Sequence, residues 1–299
     1  MRRRWLDPAA PVSYDQWPPN VVVEKVTREQ CLAGPPQMDS AMSMTRRRER
    51  VRATILSVTA AIGIAALPCG SAVAVASNQE HRTMNTEQAL SSKQQAIGPI
   101  AAATAVGDMP QLDAALNKGL DAGLTISDAK EILVQLYAYT GFPRSLNALG
   151  GLMKVVESRR QRGIQDAPGR DPGPIPAGKE LLAVGTANQT KLSGAPVKGP
   201  LFDFAPAIDQ YLKTHLFGDI FARDNLDWQS RELATVGALA AMPGVESQLQ
   251  AHVRISMNVG LTALQLRNLA DALEQGGQAD AARRARAAVD KQLADAAPR

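Results

Sequence analysis

The 299-residue chain has three histidines, His81, His215 and His252, and its two cysteines, Cys31 and Cys69, both fall within the first 76 residues. A chain without cysteine after position 69 has no thiol nucleophile, no Cys-x-x-Cys redox pair and no thiolate zinc site in its main body. Three histidines without clustered acids make no metal constellation, so no metal is expected. Proton transfer at neutral pH then falls to His252, flanked by Ala251 and Val253. An imidazole there serves either as a general acid or as a hydrogen-bonded packing residue. His81 and His215 have no partner pattern and read as surface residues.

Arg231-Glu232 places a cation and a carboxylate upstream of His252. The bland reading is a solvated charge pair at a helix start. Glu246 suits the first turn of a helix, where an acid favours the positive end, with a substrate contact as the alternative. Tyr137 and Tyr139 read as core ahead of a helix-breaking turn, Gly141-Phe142-Pro143-Arg144-Ser145-Leu146-Asn147. In the alternative reading this turn lines a pocket of a neighbouring copy, where Arg144 and Asn147 meet an anionic ligand.

The elements that must hold these residues read as helices. Asp227 caps a helix over 228–241 with Leu233, Val236, Gly237 and Ala240 at helical spacing, and Pro243-Gly244 stops it. A second helix, 245–258, carries Leu249, Val253 and Met257 at i, i+4 and i+8, and Gly260 suits its end. Thr262 caps a third, 263–274. Upstream, the same plan predicts helices over 92–104 and 109–122, and one from Ser127 that continues through Tyr139. No alternating strand pattern occurs, so the fold class is all-α.

Sliding the chain by 137 residues lays Gly107-Asp108-Met109-Pro110-Gln111-Leu112 over Gly244-Val245-Glu246-Ser247-Gln248-Leu249, and Gly123-Leu124-Thr125 over Gly260-Leu261-Thr262. Ala101, Ala103 and Ala114 fall on Ala238, Ala240 and Ala251 in the same register. Two tandem helical repeats are therefore expected, at 88–160 and 225–290. Between them 161–224, with Pro168, Pro172, Pro174 and Pro176, reads as a Pro/Gly-rich linker or a wrapping arm.

Charge separates the leader from the rest. Residues 1–76 hold ten of the 33 Lys and Arg and six of the 29 Asp and Glu, leaving 23 of each for 77–299. The body is neutral, which argues against nucleic acid, a partner that demands a clustered basic footprint. From Met44, five arginines precede an apolar stretch ending in Ala74-Val75-Ala76, the form of an export signal. The expectation is a signal peptide over 44–76 with cleavage near Ala76, a periplasmic or secreted product, and no stable membrane insertion after processing. An uncleaved anchor is the alternative. Residues 1–43 read as a disordered or mis-annotated extension, with the true start at Met44 or Met42.

In the second repeat, Arg231-Glu232-Leu233-Ala234-Thr235, Gly244-Val245-Glu246, Gln248-Leu249, His252 and Asn258-Val259-Gly260-Leu261-Thr262 resemble the carboxymuconolactone decarboxylase family, which includes the peroxidase partner alkylhydroperoxidase D. The first repeat is similar at Leu136-Tyr137-Ala138-Tyr139 and at the turn from Gly141 to Asn147. The tandem arrangement looks like the two-domain branch of that family. The resemblance implies an all-helical fold and rings of six domains, hence a homotrimer of tandem chains. It matches His252, eight residues before Gly260, to the family histidine, and brings Glu232 close to the family glutamate. The peroxidase branch's cysteine positions fall on Val245 and Gln248, so its thiol chemistry is excluded here and the peroxiredoxin-like label is inherited only. In the first repeat the histidine and glutamate positions hold Ala115 and Gln95, a lost site.

The decarboxylase branch needs no thiol and no cofactor. What the resemblance implies is a lyase acting on a small carboxylated lactone or related acid. His252 would return a proton to the dienolate left by carbon dioxide, Arg231 would grip a carboxylate as a planar fork, and Glu232 would orient the imidazole. The competing expectation is an exported, non-catalytic helical oligomer that binds a small ligand or partner.

Overall fold

Short-range caps set the helix starts. Ser91, Thr125 and Thr262 each head a capping box, accepting from the backbone amide three residues on while that residue's side chain returns to the cap's own amide. Asp108 and Asp227 accept from the amides of Gln111 and Ser230. The computed structural model describes residues 89–296, and all regular structure among them is helical. In order these are α1 (Ser92–Val106), α2 (Met109–Asp121), α3 (Ile126–Gln135), the short α4 (Tyr137–Thr140) and α5 (Phe142–Gln161). There follow α6 (Lys179–Ser193), the short α7 (Pro200–Phe204) and α8 (Pro206–Tyr211), and a π-helix (Leu212–Ile220). The last four are α9 (Trp228–Ala241), α10 (Glu246–Asn258), α11 (Ala263–Gln275) and α12 (Ala279–Ala296).

Alanine-rich α1 and α9 pack against each other at the centre, each buried along most of its length. Their runs of alanine and glycine let the two backbones close up. Gly237 is the tightest point: a Cβ there would stand 2.8 Å from the Gly98 carbonyl oxygen. Around this pair, α2 and α5 pack on α1, α10 and α12 on α9, while α11 lies on α1 and α3 and α4 on α9. One hydrophobic cluster spans all of these elements. The starts of α2 and α10, of α3 and α11, and of α5 and α12 are each 137 residues apart.

Two expectations change. The helix expected to run from Ser127 through Tyr139 is interrupted at Leu136 and resumes as the four-residue α4 that carries both tyrosines. Much of 161–224, read as a linker or a wrapping arm, is helical. Gly185 lets α6 press onto the π-helix, because a Cβ there would overlap the Lys213 carbonyl, and Leu192, Phe217, Phe221 and Ile255 form a second apolar cluster under this arm. Ahead of α6, the chain lies along the start of α3, where the amides of Ile126 and Ser127 donate to the carbonyls of Ala167 and Pro168. No helix among the described residues is long and apolar enough to cross a membrane. The expected extension at 1–43 and the signal at 44–76 lie outside the described residues.

Candidate functional site

Glu232 sits in the first turns of α9, and His252 near the middle of α10. The two helices carry them into the same interior space, where Nδ1 of His252 and Oε2 of Glu232 are 2.8 Å apart. A carboxylate only accepts, so Nδ1–H donates to Glu232 and Nε2 is left for chemistry. The carboxylate is fully buried and the histidine side chain is 11 % exposed, so water reaches the imidazole edge and not its anchor.

Tyr139, from α4, closes the other side of the imidazole. Its ring meets that of His252 edge-on at 5.5 Å with an interplanar angle of 81°. Burial first, and then the Glu232 charge, push its phenol far above its ordinary value, so the hydroxyl keeps its proton. Tyr139 Oη and Glu232 Oε1 are both buried without a hydrogen-bond partner. Buried polar atoms ordinarily find partners, and these two lie beside the same imidazole.

Arg231 does not join this group. Neighbours on an α-helix point about 100° apart, so with Glu232 aimed at α10, Arg231 is aimed at α3. There it is completely buried, and Nη2 donates to Glu131 Oε2 at 3.1 Å and to the Arg223 carbonyl at 3.0 Å. Nη1 donates to Gln135 Oε1 at 3.2 Å, and Gln135 returns a 2.7 Å bond to the Arg231 carbonyl. Glu131 also takes both donors of Arg223, at 2.8 and 2.6 Å. Burial alone would raise the Glu131 carboxyl, but hydrogen bonds from Arg223, Asn225 and Arg231 hold it below the ordinary range. The expected carboxylate fork is thus a buried strut between the two halves of the chain, its charge already answered by Glu131.

The remaining candidates lie apart from the His252–Glu232 pair. Arg144 folds over the end of α1, its guanidinium filling the space beside Gly107. Asn147 is exposed and borders a surface groove with Met109 and Asp113. Glu246 is exposed at the start of α10 and accepts the Gly244 amide at 3.0 Å, which lowers its carboxyl pKa. That is the helix-start role the sequence suggested for it. His215 is exposed as expected, but paired, its Nδ1 2.6 Å from Asp219. Among the described residues no group of three or more His, Cys, Asp or Glu could hold a metal.

Sequence reasoning missed Tyr139 as a site residue. Its only local signal was the Tyr-x-Tyr spacing before Gly141, because the contact with His252 joins residues more than a hundred positions apart.

Fold and site together define, among the described residues, an all-helical protein with a carboxylate-anchored imidazole and no thiol beside it. Residues 206–291 match the model of the carboxymuconolactone decarboxylase family, so the chain carries a domain of that family. The matched segment begins at α8, earlier than the expected boundary at 225, and so includes the π-helix of the arm. No curated protein matches the chain.

Proposed function

We propose that the domain is a cofactor-independent, decarboxylase-type lyase for a small carboxylated lactone or related acid, with His252 as general acid. The observation that carries this reading is the 2.8 Å bond from His252 Nδ1 to the buried Glu232. It fixes the ring and its tautomer and leaves Nε2 as the nitrogen that can hand on a proton. In the reaction the bond between ring carbon and carboxylate breaks and its electron pair stays on the ring, delocalised into the lactone carbonyl. Carbon dioxide departs, the proton on Nε2 passes to carbon, and solvent reprotonates the imidazole. With Arg231 already paired, gripping the substrate carboxylate falls to Arg144 and Asn147 of a neighbouring copy.

That role rests on assembly, read here as a homotrimer in which paired domains make a ring of six. Its support is a contrast between the two halves. Val134, Leu149 and Met153 line an open, largely apolar groove of about 950 Å³ between α3 and α5. At the positions 137 residues on, Asp271–Arg286 and Arg267–Asp290 are ion pairs of 2.7 Å across α11 and α12. One face is made for water and the other for a second copy. Met153→Glu should lower the mass by light scattering, and an unchanged mass would refute this face as the interface. The product is further proposed to be exported, on the strength of the leader at 44–76; sequencing the mature amino terminus should find Ser77.

The test of the lyase is turnover of carboxymuconolactone and a panel of carboxylated lactones by the full chain, with His252→Ala alongside. Activity lost in the variant, with oligomer size kept, supports the reading. No turnover by either protein, or equal turnover by both, refutes it. A second reading, a non-catalytic ligand-binding oligomer, is favoured by the near burial of His252, and it becomes the leading one in that event.

A further inference from the structure

The arrangement around His252 has a counterpart across the α1–α9 pair. There α11 packs on α1 as α3 and α4 pack on α9, and the residues 137 positions away come together around one cavity. Gln95 stands for Glu232, Ala115 for His252, Gly276 for Tyr139 and Ala272 for Gln135. Both rings of the His252 site are thereby removed. The space has not collapsed: these four residues line a cavity of about 380 Å³ between α1, α2 and α11.

Its chemistry is the reverse of the His252 site. No carboxylate lines the cavity, whose wall is alanine, Pro99 and Gly276 interspersed with the uncharged Ser92, Gln111 and Gln275. The buried acid has become Gln95, which spends its Nε2 on the Leu90 carbonyl at 2.7 Å. A cation has been added, because Lys118 lines the cavity where the other half has the buried Ile255. Among the described residues Lys118 has no ion pair. A pocket with a mostly apolar wall and a single cation, and with no acid to repel an anion, selects a small carboxylate with an apolar body.

We infer that the cavity bounded by Gln95, Ala115, Lys118 and Gly276 is a binding site for a small, apolar-bodied monocarboxylate, separate from the His252 site. The inference does not depend on catalysis at His252, and its test reads binding alone. Isothermal titration of the full chain with octanoate should show one site per chain. Lys118→Glu, an exposed change that leaves the core intact, should weaken binding at least about tenfold, the scale of one lost charge-assisted hydrogen bond. Ala115→Trp should abolish binding by filling the cavity, with the melting curve recorded to confirm folding. Should that variant unfold, Lys118→Glu alone decides. His252→Ala should bind as the wild type does, which keeps this result distinct from the fate of the lyase reading. Uncharged octanamide should bind at least tenfold more weakly than octanoate. No octanoate binding, equal binding by Lys118→Glu, or octanamide binding as tightly as octanoate would each overturn the inference.

Discussion

Replacing Glu131 by Gln tests whether the two halves are joined through a buried charge. The carboxylate is 6 % exposed and receives Arg223 through bonds of 2.8 and 2.6 Å and Arg231 through one of 3.1 Å. The Arg231 side chain has no exposure at all. Glutamine keeps the shape and one acceptor but removes the charge, leaving a buried guanidinium without its counterion. Breaking such a pair from one side costs about 3–5 kcal/mol, a large part of the roughly 5–15 kcal/mol that holds a typical domain folded. At about 2–4 °C per kcal/mol for a domain of this size, the melting temperature should fall by roughly 10 °C. Urea unfolding of the full chain, followed by helical circular dichroism, measures the loss directly. Removing both partners, Glu131→Leu with Arg231→Leu, should cost less than the two single changes added together, by about 2 kcal/mol. A Glu131→Gln loss below about 1 kcal/mol, or a double variant that is simply additive, would refute the strut.

The same carboxylate predicts acid sensitivity. Its folded pKa lies below the ordinary 4.5, so its contribution is complete at pH values above that and is lost as pH falls through the folded value. The stability gap between wild type and Glu131→Gln should therefore be widest near neutrality and close on acidification. A gap that widens in acid would show the sign to be wrong. By contrast, Asp271→Asn breaks a half-exposed pair with Arg286 and should shift stability by no more than about 0.5 kcal/mol, measured in the same urea series. Gly237→Ala sets a Cβ 2.8 Å from a backbone oxygen of α1; prying the central helices apart should cost about 1–3 kcal/mol, and a neutral change would mean that the crossing is looser than described. Asp227→Ala removes the side-chain acceptor of the Ser230 amide at 2.8 Å and should cost about 1 kcal/mol, seen as earlier thermal unfolding.

Much of the helical plan was legible in the sequence because its signals act over one turn. Asp227 capping α9, Thr262 capping α11 and the glycine after α10 each work through residues three or four positions away. The eight-residue spacing from His252 to Gly260 singled out the imidazole only through the family resemblance, since the residues around it left a packing role equally open. Proline and glycine between 162 and 206 suggested a linker or a wrapping arm without announcing a helix; α6 forms there because the arm is held by apolar burial against α10.

Composition and spacing thus determined an all-helical plan for the described residues and a body without thiol chemistry, and the family resemblance pointed to His252 with Glu232 as the pair to watch. The tertiary structure decided which way each side chain of a neighbouring pair would face. Arg231 and Glu232 are adjacent in sequence, but the turn of α9 sends one to Glu131 and the other to His252. Tyr139 against His252, and the cavity left by Ala115 and Gly276, likewise arise only when helices distant in sequence cross. A helix specifies the angle between its own residues, and only packing against other helices specifies what lies at the end of each direction.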